Sequence, residues 1–304
     1  MGKGAGATRV TARLPPGRGW DHSDRPMTAD PQMLGRAAEA IRAAEGLVVM
    51  ADAAIGSEAE RAEFGGPEAF AQAYPPLARQ NVGPEALASP GIFAQDAALA
   101  WGYYGRRIER CRAGAPHEGF AVLRRWLEAK PQNGFVFTSC VDGGFQRGGF
   151  AEERIVECRG TLLHVQCAKP CCAATWPVPA DLALAIDPET LRAGGAPPRC
   201  VRCGGMTRPN VLLAADEAWS SGRTLAQQVR FRAWQGSLAR GRFAVIEISG
   251  GGGPTVREAA AQLAAAGRVP LIRILPATVA DAGDAMVLAG EPAAVLPELA
   301  VAVG

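Results

Sequence analysis

Lysine is nearly absent from this chain. Only Lys3, Lys130 and Lys169 occur among 32 basic residues, and the rest are arginine. A GC-rich genome favours that bias, although a guanidinium also suits phosphate recognition. Charge is sparse too, at 20% of residues with a formal net charge of +2, which is too small to imply nucleic-acid binding by itself. No run reaches the roughly 18 apolar residues of a membrane helix. The N-terminus lacks the apolar centre of a signal peptide. Gly6 stands where a myristoylation signal needs Ser or Thr. No membrane partner is expected. Eight cysteines in 304 residues, half of them at metal-ligand spacing, favour a reducing cytoplasm and a metal site.

What is present reads as an α/β protein. Residues 1–34, rich in Gly, Pro and Arg without apolar periodicity, are expected to form a disordered arm. Helical spacing runs from Pro31 to Glu45, with Gly46 as its terminator. Buried parallel strands are predicted at Leu47–Met50, Phe135–Thr138, Phe243–Ile248 and Pro270–Leu275. Helices are predicted between them, over 119–130, 225–241 and 255–267. This alternation implies a mostly parallel sheet. Between Thr161 and Asn210 the chain changes to cysteines, prolines and short pieces, too small for a core of its own. The expected organisation is a large domain of 35–160 and 211–304, interrupted by a small metal-binding domain of 161–210.

Cys167-x3-Cys171 and Cys200-x2-Cys203 are spaced to close a tetrahedron of thiolates around zinc. Cys172 competes with Cys171 as a ligand. Gly204-Gly205 suits a knuckle needing positive φ. Four thiolates leave no open position for water, so the zinc is expected to be structural.

In order along the chain come Trp101-Gly102-Tyr103-Tyr104, Ala115-Pro116-His117-Glu118-Gly119-Phe120, and Phe135-Val136-Phe137-Thr138-Ser139 followed by Asp142-Gly143. After them come Glu157-Cys158-Arg159-Gly160, the cysteine insertion, Arg208-Pro209-Asn210-Val211 and Pro254-Thr255-Val256-Arg257. This sequence of motifs resembles the sirtuins, in particular the group that accompanies macrodomain proteins, over roughly residues 35 to 290. The resemblance implies a Rossmann-like large domain, an inserted small zinc-binding domain, and a ligand cleft between them. Asp142, Gln146, Glu157, Gly160, Trp219 and the loop of Gly250, Gly251, Gly252 and Gly253 match the family.

Other positions depart from it. Asp52-Ala53-Ala54 replaces the Gly-Ala-Gly turn that lets a backbone approach the NAD pyrophosphate. Ala62-Glu63-Phe64-Gly65 lacks the family's arginine, Cys140 replaces an Asn near the ribose, and Leu275 replaces one near the adenosine. Arg159 stands where the family has its general-base histidine, and arginine does not release a proton in that pH range. These changes argue against NAD as cofactor and against lysine deacylation. The cofactor-contacting positions implied by the family are therefore Asp52, Ala53, Ala54, Cys140, Gln146, Gly250 and Gly251.

Three uses of such a cleft are compatible with these residues. One is hydrolysis or transfer of an acyl ester on an adenosine ribose, as in aminoacyl-tRNA, with Arg159 stabilising the oxyanion and Asp142 as a second functional group. A second is residual NAD-dependent deacylation or ADP-ribosyl transfer. A third is a zinc-stapled pseudoenzyme with a protein or nucleotide partner. Arg106, Arg107, Arg110, Arg112, Arg124 and Arg125 offer a phosphate-binding face for tRNA, but Glu109 and Glu128 interleave them and make a solvated surface the plainer reading. Arg159 beside Cys158 is expected to favour a thiolate nucleophile there. His117, opening a helix, is expected to be structural.

Overall fold

The computed structural model describes residues 29–56, 66–238, 242–250, 254–276 and 284–304. The expectations for residues 1–28, for Ala62-Glu63-Phe64-Gly65 and for Gly251 lie outside them. Helix α1 (Pro31–Ala43) begins inside the stretch assigned to the arm. Asp30 accepts the Gln32 N–H at 2.9 Å and Pro31 sits in the first turn, so the start is capped on both counts. Leu34, Ala37, Ala38 and Ile41 form its buried stripe. Gly46 does not end this helix. It opens strand β1 (Gly46–Ala51), where a Cβ would stand 3.1 Å from the Trp234 ring.

Six parallel strands form the main sheet, in the order β3-β2-β1-β7-β8-β9. They are β1, β2 (Gly134–Thr138), β3 (Ile155–Glu157), β7 (Phe243–Ile248), β8 (Leu271–Leu275) and β9 (Met286–Ala289). Alternate residues of β1 serve opposite faces, as the strand's period of two requires. Leu47, Val49 and Ala51 enter one core with α1, α3 (Glu118–Ala129) and α6 (Pro292–Val303). Val48 and Met50 enter another with Phe231 and Trp234 of α4 (Gly222–Ser237) and Val256, Ala260 and Ala264 of α5 (Pro254–Gly267). Helices therefore cover both faces, and every residue of β1 is buried.

A second body has a core of its own. Its antiparallel sheet, in the order β5-β4-β6, contains β4 (Gly160–Cys167), β5 (Thr175–Pro177) and β6 (Thr207–Val211). Helix α2 (Ala97–Ala113) packs Leu99, Trp101, Tyr103, Tyr104 and Ile108 with Phe70, Tyr74 and Leu77 against Leu162 and Val165 of that sheet. The residues between 66 and 113, read from sequence as part of the large domain, thus supply the apolar surface that 161–210 lacks. Arg192 clamps the two segments by forking onto Asp96, at 2.8 and 2.6 Å, which holds that carboxyl below its ordinary range.

Candidate functional site

β1 connects toward β2 on one side and β7 toward β8 on the other. The carboxyl ends of β1 and β7 therefore flank the crevice where open α/β sheets bind ligands. Asp52 follows β1 directly. Its Oδ1 accepts the Ala54 N–H at 2.8 Å, capping the short turn Ala53–Ile55. The Gly250 N–H, at the end of β7, approaches both Asp52 oxygens at 3.1 Å. Burial pushes the Asp52 carboxyl above its ordinary value, against the pull of these two N–H groups and the Arg159 charge. Beneath the turn, His117 accepts the Gly119 N–H at Nδ1 (3.1 Å) and pairs through Nε2 with the Ile55 carbonyl at 2.7 Å. Both ring nitrogens are committed to backbone, which is the structural role expected of His117.

At the end of β2, the Thr138 hydroxyl donates to Ala51 O and accepts the Cys140 N–H. Cys140 packs against the first core. Asp142 pairs with Arg147 at 3.1 Å, and Arg147 also donates to the carbonyls of Asp142 and Gly114. Half-buried Gln146 lies on the short helix Gly144–Arg147 that follows.

β3 delivers Glu157, Cys158 and Arg159. Glu157 is buried, with one carboxylate oxygen bonded to Arg223 and, at 3.2 Å, to Gln227 of α4. It ties β3 to that helix. Burial pushes the Cys158 thiol up to about 11, outweighing the opposing charge of Arg159. The expected thiolate is therefore not formed at neutral pH, because desolvation dominates over one exposed guanidinium. Arg159 is exposed and donates to Thr255 Oγ1, in the first turn of α5, at 3.1 Å. Asp52, Arg159, Gly250 and Thr255 thus meet at the crevice, whereas Cys140, Asp142 and Glu157 are each engaged in local packing or pairing.

At the far end of β4 the four sulfurs of Cys167, Cys171, Cys200 and Cys203 lie within 4.8 Å of one another. Cys167 and Cys203 are 3.7 Å apart, Cys171 and Cys200 3.6 Å. A tetrahedral shell with metal–sulfur bonds of about 2.3 Å spaces its sulfurs by about 3.8 Å, so the set fits a zinc-sized ion. Cys172 touches Cys171 at 3.8 Å and stands outside the group of four. Gly204 takes φ +68° in the second knuckle, as expected of a glycine there, and Gly205 does not share the positive φ.

No protein-family model matches the chain. Curated relatives do. It is 31% identical over 183 residues to NAD-dependent protein deacylase 2 of Pyrobaculum aerophilum, covering 59% of this chain and 64% of the relative. It is 33% identical over 129 residues to the NAD-dependent protein deacylase of Aeropyrum pernix, covering 42% and 46%. Among solved structures, a mutant Sir2 homologue in complex with ADP-ribose matches with a TM-score of 0.64 at 21% identity, over 90% of this chain and 96% of that one. A Sir2 homologue–NAD complex gives 0.61 at 21% identity, over 93% and 97%. The chain is similar to the sirtuins. The aligned parts span about half to two thirds of these curated relatives' own length, and the structural likeness at this identity establishes the fold.

In this chain the six arginines of the expected phosphate face are dispersed over two bodies. Arg107 and Arg110 lie over the rings of Tyr103 and Tyr74, and Arg112 donates to the carbonyls of Val178, Pro179 and Ala180. Arg106 and Arg124 pair with the interleaved Glu109 and Glu128. Sequence reading missed Arg147 and Arg223, which neutralise Asp142 and Glu157. The first pair is only five residues apart and was within reach of inspection. The second joins residues 66 apart and left no local signal. No helix among the described residues is long and apolar enough to cross a membrane.

Proposed function

We propose that this sirtuin homologue has given up NAD-dependent lysine deacylation and uses its crevice to hydrolyse an acyl ester on the ribose of an adenosine-containing ligand. The observation that carries this reading is Arg159. A guanidinium stands where the resemblance puts the deacylation base, and it is exposed beside Thr255 and within the field of Asp52. It stays protonated and supplies charge instead of taking a proton. Charge of that sign is what the oxyanion of a cleaving ester needs. Asp142, held by Arg147 at the end of β2, is the second candidate functional group. The terminal adenosine of aminoacyl-tRNA carries such an ester, and tRNA is the partner proposed. The four-sulfur cluster is proposed to hold a structural zinc, and a reducing cytoplasm is the proposed location.

The test is deacylation of a panel of charged tRNAs, with spontaneous hydrolysis subtracted. Wild type should exceed background on at least one tRNA. Arg159→Ala should lower that rate by roughly 10² to 10³. Absence of turnover on every charged tRNA, or NAD-dependent release of acetate from an acetyl-lysine peptide by wild type, overturns the proposal. The second reading, a residual NAD-dependent deacylase, is supported by what the curated relatives are named for, and the peptide assay decides between the two.

A further inference from the structure

We infer that the Asp52 carboxylate is a built-in anion occupying the backbone donors a pyrophosphate would need, so that the crevice selects adenosine ligands without a pyrophosphate and turns dinucleotides away. This names the ligand class of the crevice proposed above, and rests on that proposal only in taking the crevice as a nucleotide site.

In a doubly wound sheet the pyrophosphate crosses the switch point, using N–H groups at the carboxyl ends of the two central strands. Here those strands are β1 and β7. The Ala54 N–H behind β1 and the Gly250 N–H behind β7 both point at the same side chain. A residue that merely capped its own turn would need the Ala54 bond alone. Asp52 also reaches a donor 198 residues away in the chain, and offers it both oxygens. That second contact makes it a bridge across the seam. The seam is narrow as well, since a Cβ on Gly250 would meet the Ala54 Cβ at 3.4 Å.

The carboxylate competes with a ligand phosphate in two ways. It is tethered, and an intramolecular competitor acts at an effective concentration of millimolar or more. It also repels. Two like charges about 4 Å apart, at an effective dielectric near 20, weaken binding by up to about 10³-fold. Asp52 is half-buried, and its two N–H partners hold the carboxylate in the seam where a second anion would have to sit. The exposed guanidinium of Arg159 lies outside the bridge and remains open to an ester or a single phosphate.

Calorimetric titration with ADP-ribose and with adenosine, on wild type, Asp52→Gly and Asp52→Asn, tests this. Melting curves establish that each variant is folded. Asp52→Asn keeps an acceptor for Ala54 and Gly250, and gives the reading if Asp52→Gly does not fold. Both variants should bind ADP-ribose roughly 10²-fold more tightly than wild type, with adenosine affinity changed less than about threefold. Equal ADP-ribose affinity in wild type and variants, whether tight or undetectable, overturns the inference. So does a gain for adenosine as large as that for ADP-ribose, which would mean space and not charge was limiting. No turnover is measured, so the ester-hydrolase reading can fail while this one stands, and the reverse.

Discussion

The sulfur cluster at the tip of the small sheet and the crevice at the end of the large one are assembled in opposite ways. The four sulfurs come from two short segments, Cys167 with Cys171 and Cys200 with Cys203. The crevice groups come from three distant parts of the chain: Asp52, Arg159, and Gly250 with Thr255. In the cluster each sulfur is useless without the other three, so chemistry and local fold are one property. In the crevice each strand end is supported by the sheet behind it and can change its side chain without losing its place. The carboxylates at these strand ends are each satisfied nearby, Asp52 by two N–H groups, Asp142 by Arg147 and Glu157 by Arg223. Such a frame tolerates different side chains at its strand ends.

The sharpest way to break this contrast is to remove one sulfur. Cys200→Ser should reduce bound zinc from one equivalent to near zero and unfold the small body. Metal binding to such sites is worth on the order of 10 kcal/mol in small zinc peptides. Elemental analysis with a melting curve checks it, and a variant that keeps its zinc would show the cluster to be less interdependent than described.

The next effect lies in the same body but away from the metal. Arg208 and Asp216 form an ion pair at 2.7 Å with side chains only 1% and 0% exposed. Asp216→Ala strands a buried guanidinium and should cost about 3–5 kcal/mol in urea unfolding. A loss below about 1 kcal/mol would mean that water reaches the pair.

The smallest effect is a dependence of stability on pH. Burial, with help from the nearby Arg223 charge, lowers the pKa of His164 from 6.5. Its neutral form is favoured in the folded state, so its contribution is fully present above pH 6.5 and is lost as pH falls through the lowered folded value. His164→Gln should flatten the decline of stability below pH 6.5 relative to wild type. Parallel curves for the two proteins would remove His164 from the acid sensitivity.

Legibility followed the same division. The cysteines were readable because both turns are local, and the central strands because their apolar runs are unbroken. Helix α2 went unread. Its small and aromatic residues are buried on several sides: a Cβ on Gly102 would stand 1.8 Å from the Leu191 carbonyl oxygen, so no single apolar stripe marks it. β3 and β9, with three and four residues, are too short to show a period. The Cys158 error has a physical cause. Sequence displays the neighbouring guanidinium and hides the desolvation that outweighs it. Gly160 was legible as a family match, and the structure supplies the reason: φ is +75° there and a Cβ would lie 2.0 Å from the Asn210 carbonyl oxygen.

The pairing of β1 with β7 also has a timetable. Gly46 lies opposite Phe243, so one edge of the central strand waits for chain made nearly two hundred residues later. At ribosomal rates of about 5–20 residues per second, that is a delay of roughly 10–40 s. During it Leu47-Val48-Val49-Met50 presents a bare apolar edge, the kind that recruits other chains. The small body, whose core closes with Val211, is complete before β7 emerges. In a nascent chain the peripheral body therefore matures first, and the sheet that carries the crevice is sealed last.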